Sequence, residues 1–275
     1  MIMLYIAAIH SARIPYLVSI MSGAPLMAMI GNAISLYWLR RPDLRPNPLM
    51  FRPTVALLML RRGVMFFGNG IASAMAYDSQ LIIIAHLLGP AAVGVYAVVQ
   101  RLFSILSQLV NYTTLPLWPA FSEALAIKDI AWIRRALNRG LILNTLLISI
   151  PAIGFALFGQ QIIFRWTHGA IHPSHTLILG FCFWAVLFGL NCPQSMILNA
   201  AHVLTFQLLG SLSFGVATVV GMLFLLPRLG LTGASWIMVV AYLTCMVLPM
   251  TLYIRFRFLN VLSAEAVVVD LLQSR

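Results

Sequence analysis

The sequence predicts an all-α, polytopic transmembrane helical bundle, and three observations support this fold class. Of the 275 residues, 61% are hydrophobic and only 8% are charged, whereas soluble domains average about 25% charged residues. Apolar runs of roughly 20 residues, the length that crosses a bilayer as a helix, follow one another along the chain. The alternation of polar and apolar residues that is typical of a membrane β-barrel is not seen. This composition leaves too little polar surface for a water-soluble domain.

The apolar runs predict about seven full spans and one partial span. The partial span comprises residues 1–12. The full spans are predicted at residues 14–39, 63–88, 91–117, 140–164, 176–200, 204–227 and 231–254. Each is long enough to cross ~30 Å of hydrocarbon at ~1.5 Å of rise per residue.

Basic residues in the loops predict how the bundle is oriented. Thirteen of the 17 Lys and Arg residues lie in residues 40–62, 123–140 and 255–275, which alternation of the spans places on one side of the membrane. By the positive-inside rule, that side faces the cytoplasm. Basic loops also explain the net charge of +11, so we expect no nucleic-acid partner. Within this side, AWIRRALNR (131–139) has apolar and basic residues at helical spacing, which predicts a helix lying along the inner membrane surface.

Motifs for enzymatic chemistry are missing from the sequence, so we predict no enzyme, no cofactor and no metal. Asp78 is the only carboxylate within a predicted span, which leaves no carboxylate pair there for acid–base catalysis. The segment HGAIHPSH (168–175) contains three histidines, but it has no Cys or acidic neighbour. We therefore favour a solvated loop over a metal site for this segment.

Asp78 and Arg101 are the two charged residues that the apolar pattern does not explain. Each lies about eleven residues from the turn at Gly89 and Pro90, which separates two antiparallel spans. At ~1.5 Å per residue, this spacing places both charges ~17 Å from the turn, near the bilayer midplane. A charge at that depth costs at least ~2.5–3.5 kcal/mol on insertion scales, so a function is the default hypothesis. Two interpretations remain open: an ion pair that lets both helices insert, and a polar cavity in which Arg101 meets an anionic substrate group.

Three stretches resemble a known family: DSQLIIIAHLLGPAAVGVYAVVQRLF, LPLWPAFSEALAIKDIAWIRRAL and LLPRLGLTGASW. They look like the C-terminal half of bacterial polysaccharide-unit flippases of the O-antigen (Wzx) type. These flippases belong to the multidrug/oligosaccharidyl-lipid/polysaccharide exporter superfamily. The resemblance implies two six-helix lobes around a central cavity with alternating access. It also implies a lipid-linked oligosaccharide cargo on undecaprenyl diphosphate, the bacterial inner (plasma) membrane as the location, and other polysaccharide assembly proteins as partners.

The resemblance also implies a domain organisation. Residues 1–39 would be the end of an N-terminal lobe, 40–62 a basic cytoplasmic connector, 63–254 the C-terminal six-helix lobe, and 255–275 a cytoplasmic tail. The match begins near the end of the N-terminal lobe, so we expect this chain to lack the opposing cavity wall. Two alternatives stay open: a truncated form of the protein, and a missing lobe that comes from another chain.

The resemblance implies substrate-binding roles for the two intramembrane charges. Arg101 is expected to contact the diphosphate of the lipid carrier, and Asp78 to hold and neutralise Arg101 between cargo cycles. Two alternatives stay open: a multidrug-type exporter, which would need carboxylates and aromatic side chains in its cavity, and a membrane-embedded glycosyl or acyl transferase. The transferase should have clustered acidic or histidine residues near one interface, and only the 168–175 loop has such residues.

Overall fold

A computed structural model of the chain describes residues 14–45, 47 and 52–258, and every regular element in this part is helical. This confirms the predicted all-α class. In chain order the helices are α1 Ile14–Ile34, α2 Pro53–Tyr77, α3 Ser79–Leu88, α4 Pro90–Thr114, α5 Leu117–Ala126, α6 Ile130–Trp166, α7 His175–Ala200, α8 Leu204–Tyr242 and α9 Leu248–Tyr253. The chain divides into two units, residues 1–58 and 59–275.

The first unit is a helix that leads into a basic turn. After α1 the backbone widens into a π-helical turn, Ser35–Arg40. Arg41 then forms an exposed ion pair with Asp43, with an N–O distance of 2.9 Å, and the guanidinium holds the pKa of that carboxyl below its usual range. Arg45 lies 4.5 Å from the centre of the Trp38 ring. An arginine over an indole at a predicted interface is a favourable cation–π arrangement.

Five helical segments in the described part of the chain are long and apolar enough to cross a membrane. They are Pro53–Leu88, Pro90–Ala126, Ile130–Trp166, His175–Ala200 and Leu204–Phe256. The chain therefore has the character of a membrane protein, but the predicted count of seven full spans is not confirmed. The predicted partial span 1–12 lies outside the described residues, and the predicted span 14–39 is helical but is not one of the five.

The longest of these segments, Leu204–Phe256, contains a sharp bend at Gly230. The two limbs on either side of the bend correspond to the predicted spans 204–227 and 231–254. Gly230 has φ 65° and ψ −167°, a conformation that essentially only glycine adopts. The two limbs pack against each other: the Phe214 and Tyr242 rings are 5.1 Å apart, edge to face. Farther along, a Cβ on Gly221 would lie 2.7 Å from Ile237 Cγ2. The farther a residue lies before Gly230, the farther after Gly230 its contact lies, so the limbs run antiparallel.

Helix α6 corrects the expectation of a separate surface helix at residues 131–139. These residues form the first turns of α6, which continues for 37 residues without a break. Asp129 caps its start by accepting a hydrogen bond from the backbone N–H of Trp132 at 2.9 Å. The helix continues through Gly140 because the missing side chain allows close packing there: a Cβ would lie 3.3 Å from Leu117 and 3.4 Å from Pro193. Packing against neighbours thus overrides the amphipathic pattern.

Helix α7 is the centre of the second unit. Its most apolar window is 61% buried, against 17% for α6, and it packs against α4, α5, α6 and α8. One face of α6, by contrast, carries a continuous stripe of exposed apolar side chains: Ile142, Leu146, Ile150, Ile153 and Leu157. A long apolar stripe of this kind suits contact with lipid.

Candidate functional site

The candidate site begins at Asp78, which lies at the break between helices α2 and α3. Helix α2 ends at Tyr77 and α3 starts at Ser79, while the carboxylate of Asp78 makes no capping hydrogen bond to the helix it precedes. Gln100 from α4 donates to the backbone carbonyl of Tyr77 at 3.3 Å. A polar side chain of the neighbouring helix thus bonds to the backbone at the break, as is required in a setting without water.

Two side-chain hydrogen bonds fix the register of the hairpin formed by α3 and α4. Tyr96 donates to the amide oxygen of Gln80, and both side chains are fully buried. Together with the bond from Gln100 to Tyr77, this pairing places Asp78 and Arg101 at the same level of the hairpin. The spacing around the turn at Gly89, where φ is 86°, predicts this equal depth.

Asp78 and Arg101 line one cavity of about 520 Å³. Small-molecule sites typically enclose about 300–1,000 Å³, so the cavity is large enough to hold a ligand. Most of its polar lining comes from one face of α4. The lining side chains of this polar stripe are Gln100, Arg101, Ser104, Ser107 and Gln108. Sequence reasoning missed all of them except Arg101, although their i, i+1, i+4, i+7 and i+8 spacing is the signal for one helix face.

The opposite wall of the cavity is aromatic. It comprises Phe181, Trp184 and Phe188 of α7, together with Tyr77. The rings of Trp184 and Phe188 are 5.5 Å apart, and those of Tyr77 and Trp184 are 5.7 Å apart in an edge-to-face arrangement. A rigid apolar wall facing a polar stripe makes this cavity amphipathic.

The two charges share the cavity without forming an ion pair. Within the described residues the single ion pair closer than 4.0 Å joins Arg41 and Asp43, in the first unit. The side chains of Asp78 and Arg101 are both exposed. The expected resting pair, in which Asp78 neutralises Arg101, is therefore not present in this structure. The donors of the Arg101 guanidinium are instead open to a ligand.

Polar contacts behind the cavity hold its helices together. Asn191 of α7 donates to the Tyr242 hydroxyl of α8 at 3.0 Å, and the Cys192 thiol lies 3.7 Å from the amide oxygen of Asn111 on α4. Asn191 is buried, and its own amide oxygen has no hydrogen-bond partner. Interhelical bonds of this kind are worth ~0.6–2 kcal/mol each in membrane proteins. They fix α4, α7 and α8 around the site.

The three histidines of the 168–175 loop do not form one cluster. Across the described ranges, no three His, Cys, Asp or Glu side chains are close enough to hold a metal ion. His175 bonds through its ring to the carbonyl of Ala156 at 2.8 Å, and His172 packs 5.1 Å from the Phe164 ring. Two of the three histidine rings of the loop therefore make packing or hydrogen-bond contacts within the protein.

The cavity presents one guanidinium, one carboxylate, several amides and hydroxyls, and an aromatic wall. Such a set can bind a ligand that is anionic at one end and carries hydroxyl groups elsewhere. Comparison of the chain with models of protein families, with curated proteins and with solved structures finds no match.

Proposed function

We propose that this chain is a membrane transporter: a flippase that moves undecaprenyl-diphosphate-linked oligosaccharide units across the bacterial inner membrane for surface polysaccharide (O-antigen, lipopolysaccharide) biosynthesis. One observation carries the proposal. Arg101 faces a polar-lined cavity at mid-depth of an apolar bundle and has no ion-pair partner. An unpaired arginine at this depth is costly, so an anionic ligand provides a reason for keeping it.

The lining residues support distinct roles in the proposed binding. The planar fork of Arg101 suits the oxygens of a diphosphate, which a guanidinium can contact at two atoms at once. Gln100, Ser104 and Gln108 offer donors and acceptors for sugar hydroxyls. Asp78 lines the same cavity and would repel an anion bound at Arg101, which limits how tightly the cargo is held.

The proposal also covers orientation and assembly. The loops with thirteen basic residues face the cytoplasm, and the second unit supplies one wall of the transport path. Alternating access requires a second helical repeat that rocks against the first. We propose that such a repeat forms the opposing wall.

A binding experiment tests the role of Arg101. The probe is radiolabelled undecaprenyl diphosphate, and the protein is the purified 275-residue chain in detergent. Arg101→Ala should weaken binding by about 10- to 100-fold, because a hydrogen bond to a charged group contributes ~1.5–3 kcal/mol. Arg101→Lys should recover little of the loss, because an ammonium is a point charge without the planar fork.

The controls separate a local loss from a general one. Arg165→Ala removes an arginine from the last turn of α6, outside this cavity, and should leave binding unchanged. Undecaprenol, which lacks phosphate, should bind equally weakly to wild type and to Arg101→Ala. Wild-type affinity for undecaprenyl diphosphate in Arg101→Ala, or in the double variant Asp78→Asn with Arg101→Gln, would refute the assignment.

A multidrug-type exporter is the second candidate, because the cavity also holds a carboxylate beside an aromatic wall. Those features bind hydrophobic cations. The same preparation distinguishes the two functions. Binding of a lipophilic cation such as tetraphenylphosphonium that is lost in Asp78→Asn but kept in Arg101→Ala would favour the exporter.

A further inference from the structure

A second cavity, of about 370 Å³, lies between the start of α6 and the end of α4. Its polar rim carries the exposed Arg135 and Arg139, its apolar floor includes Leu117, and Leu143 adds an exposed apolar side chain to the lining. Trp132 stands at the edge. The cavity shares no lining residue with the one that contains Asp78 and Arg101.

The position of this cavity along α6 corresponds to the headgroup region of a bilayer. Arg139 and Arg165 bracket the apolar run of α6 and are 26 positions apart. This separation is ~39 Å at ~1.5 Å per residue. A bilayer measures ~40–45 Å between the outer limits of its headgroups, and its hydrocarbon core ~30 Å. A helix that spans the bilayer with these two arginines at its ends would place Arg139 at the level of lipid phosphates and Arg135 one turn farther out.

The charges of the cavity are unbalanced. Arg135 and Arg139 are four residues apart, so their side chains lie on the same face of α6, where two like charges repel. Both are exposed, and neither guanidinium bonds to another residue in the described part of the chain. None of the residues that line the cavity carries a carboxylate. An anion between the two guanidinium groups would relieve this repulsion.

The inner part of the cavity needs no ligand of its own. Asn144 is buried there, its amide donates to Thr114 Oγ1 at 2.9 Å, and its oxygen accepts from Thr113 Oγ1 at 3.2 Å. The remaining floor is apolar. The cavity thus combines two cationic donors at the rim with an apolar surface toward the bilayer centre, which is the arrangement of a phospholipid: phosphate outside, acyl chain inside.

We propose that this cavity binds the headgroup of an anionic phospholipid, with Arg135 and Arg139 contacting its phosphate and Leu117 and Leu143 contacting the first part of an acyl chain. Basic pockets between transmembrane helices on the cytoplasmic side are known to take such headgroups. The side with this cavity is the one that the basic loops predict to be cytoplasmic. The lipid would be a resident ligand, separate from the transported cargo.

Native mass spectrometry of the detergent-purified chain tests the proposal with dioleoyl phosphatidylglycerol and dioleoyl phosphatidylcholine as probes. Phosphatidylglycerol should be retained in preference to phosphatidylcholine. Arg135→Gln with Arg139→Gln should weaken phosphatidylglycerol binding by about 25-fold, because each arginine contributes about fivefold. Arg135→Lys with Arg139→Lys should keep most of the affinity, because attraction of an anionic headgroup to the membrane surface depends on charge, which lysine also supplies. The melting temperature of the Gln double variant without lipid checks that the bundle still folds.

The matched control is Arg165→Gln, which removes an arginine at the opposite interface and should leave phosphatidylglycerol binding unchanged. Equal retention of the two lipids, or equal loss in Arg165→Gln, would overturn the proposal. Displacement of phosphatidylglycerol by millimolar inorganic phosphate would also overturn it, because the cavity would then be a site for free phosphate.

Discussion

Gly180 determines how closely α7 approaches the second limb of α8. A Cβ at this position would lie 2.6 Å from Ser235 Cβ, with the backbone carbon of Ser235 at 3.3 Å. Ser235 is fully buried and its hydroxyl donates to the carbonyl of Thr232 at 3.3 Å. The neighbour therefore cannot move without breaking a bond. Small residues permit this kind of close helix contact in membranes, where packing drives association.

We predict that Gly180→Ala lowers the free energy of unfolding by about 1–3 kcal/mol, the usual cost of overpacking. Thermal unfolding in detergent should show a fall of several degrees. Gly154→Ala in α6 is the matched control, because a Cβ there meets nothing within 4 Å. It should be neutral or slightly stabilising, since alanine favours a helix over glycine.

Ser235→Gly, which removes the clashing Cβ, should restore part of the stability that Gly180→Ala loses. An unchanged melting temperature in Gly180→Ala would show that the close approach of Gly180 to Ser235 does not limit the packing of the two helices.

At the scale of elements, the hairpin of α3 and α4 presents the charged cavity, and the more buried of the two bonds that fix its register joins Tyr96 and Gln80. Tyr96 donates to Gln80, which in turn donates to the carbonyl of Ala76. The three form a chain of hydrogen bonds in an environment without water. Loss of one partner leaves a buried polar atom unsatisfied, which costs more than loss of both.

Tyr96→Phe should therefore destabilise the chain by about 1–3 kcal/mol, because the amide oxygen of Gln80 loses its donor. Tyr112→Phe is the control: this tyrosine lies on the same helix and is 67% exposed. The double variant Tyr96→Phe with Gln80→Leu should be more stable than Tyr96→Phe alone. Equal melting temperatures for Tyr96→Phe and Tyr112→Phe would contradict the role of this bond.

Features that depend only on the spacing of residues along one helix or hairpin could be predicted from the sequence. Equal depth of Asp78 and Arg101 followed from their spacing around one turn, because a helix has a fixed rise per residue. The polar stripe on α4 was readable by the same periodicity, but it was overlooked because single hydroxyls and amides are common in membrane helices. The aromatic wall from α7 was not predictable, since nothing in the spacing tells which helix packs across from α4.

Other features depended on competition between local and tertiary forces. AWIRRALNR is amphipathic, yet Gly140 packs tightly against Leu117 and Pro193, and α6 continues through it. Equal depth also did not bring the two charges together: the level along a hairpin is set by sequence, whereas the direction of each side chain is set by the surrounding packing. The continuation of α6 and the separation of the two charges both depend on contacts between helices, which the sequence alone does not reveal.

At the scale of the whole molecule, the uneven distribution of Lys and Arg predicts the orientation in the membrane. The test is cysteine labelling in spheroplasts, in a background where the three native cysteines are replaced by alanine. Arg45→Cys should be protected from an impermeant maleimide until the membrane is opened. Ala170→Cys, in the exposed loop after α6, should be labelled from outside.

The opposite labelling pattern would contradict the predicted orientation. External labelling of Arg45→Cys together with protection of Ala170→Cys would show that the bundle has the opposite orientation in the membrane. Such an inversion would place Arg135 and Arg139 at the periplasmic leaflet.

The bend at Gly230 has a consequence for insertion of the chain into the membrane. Because its two limbs meet without an intervening loop, they can leave the translocation machinery as one hairpin and bury each other's polar groups during synthesis. Ser211 Oγ already has Met246 Sδ at 3.9 Å across the limbs. In the orientation that the basic loops predict, Arg228 is the charge near the tip that must cross the bilayer. Any side chain at Gly230 would strain this conformation, so we expect substitutions there to lower the yield of inserted protein.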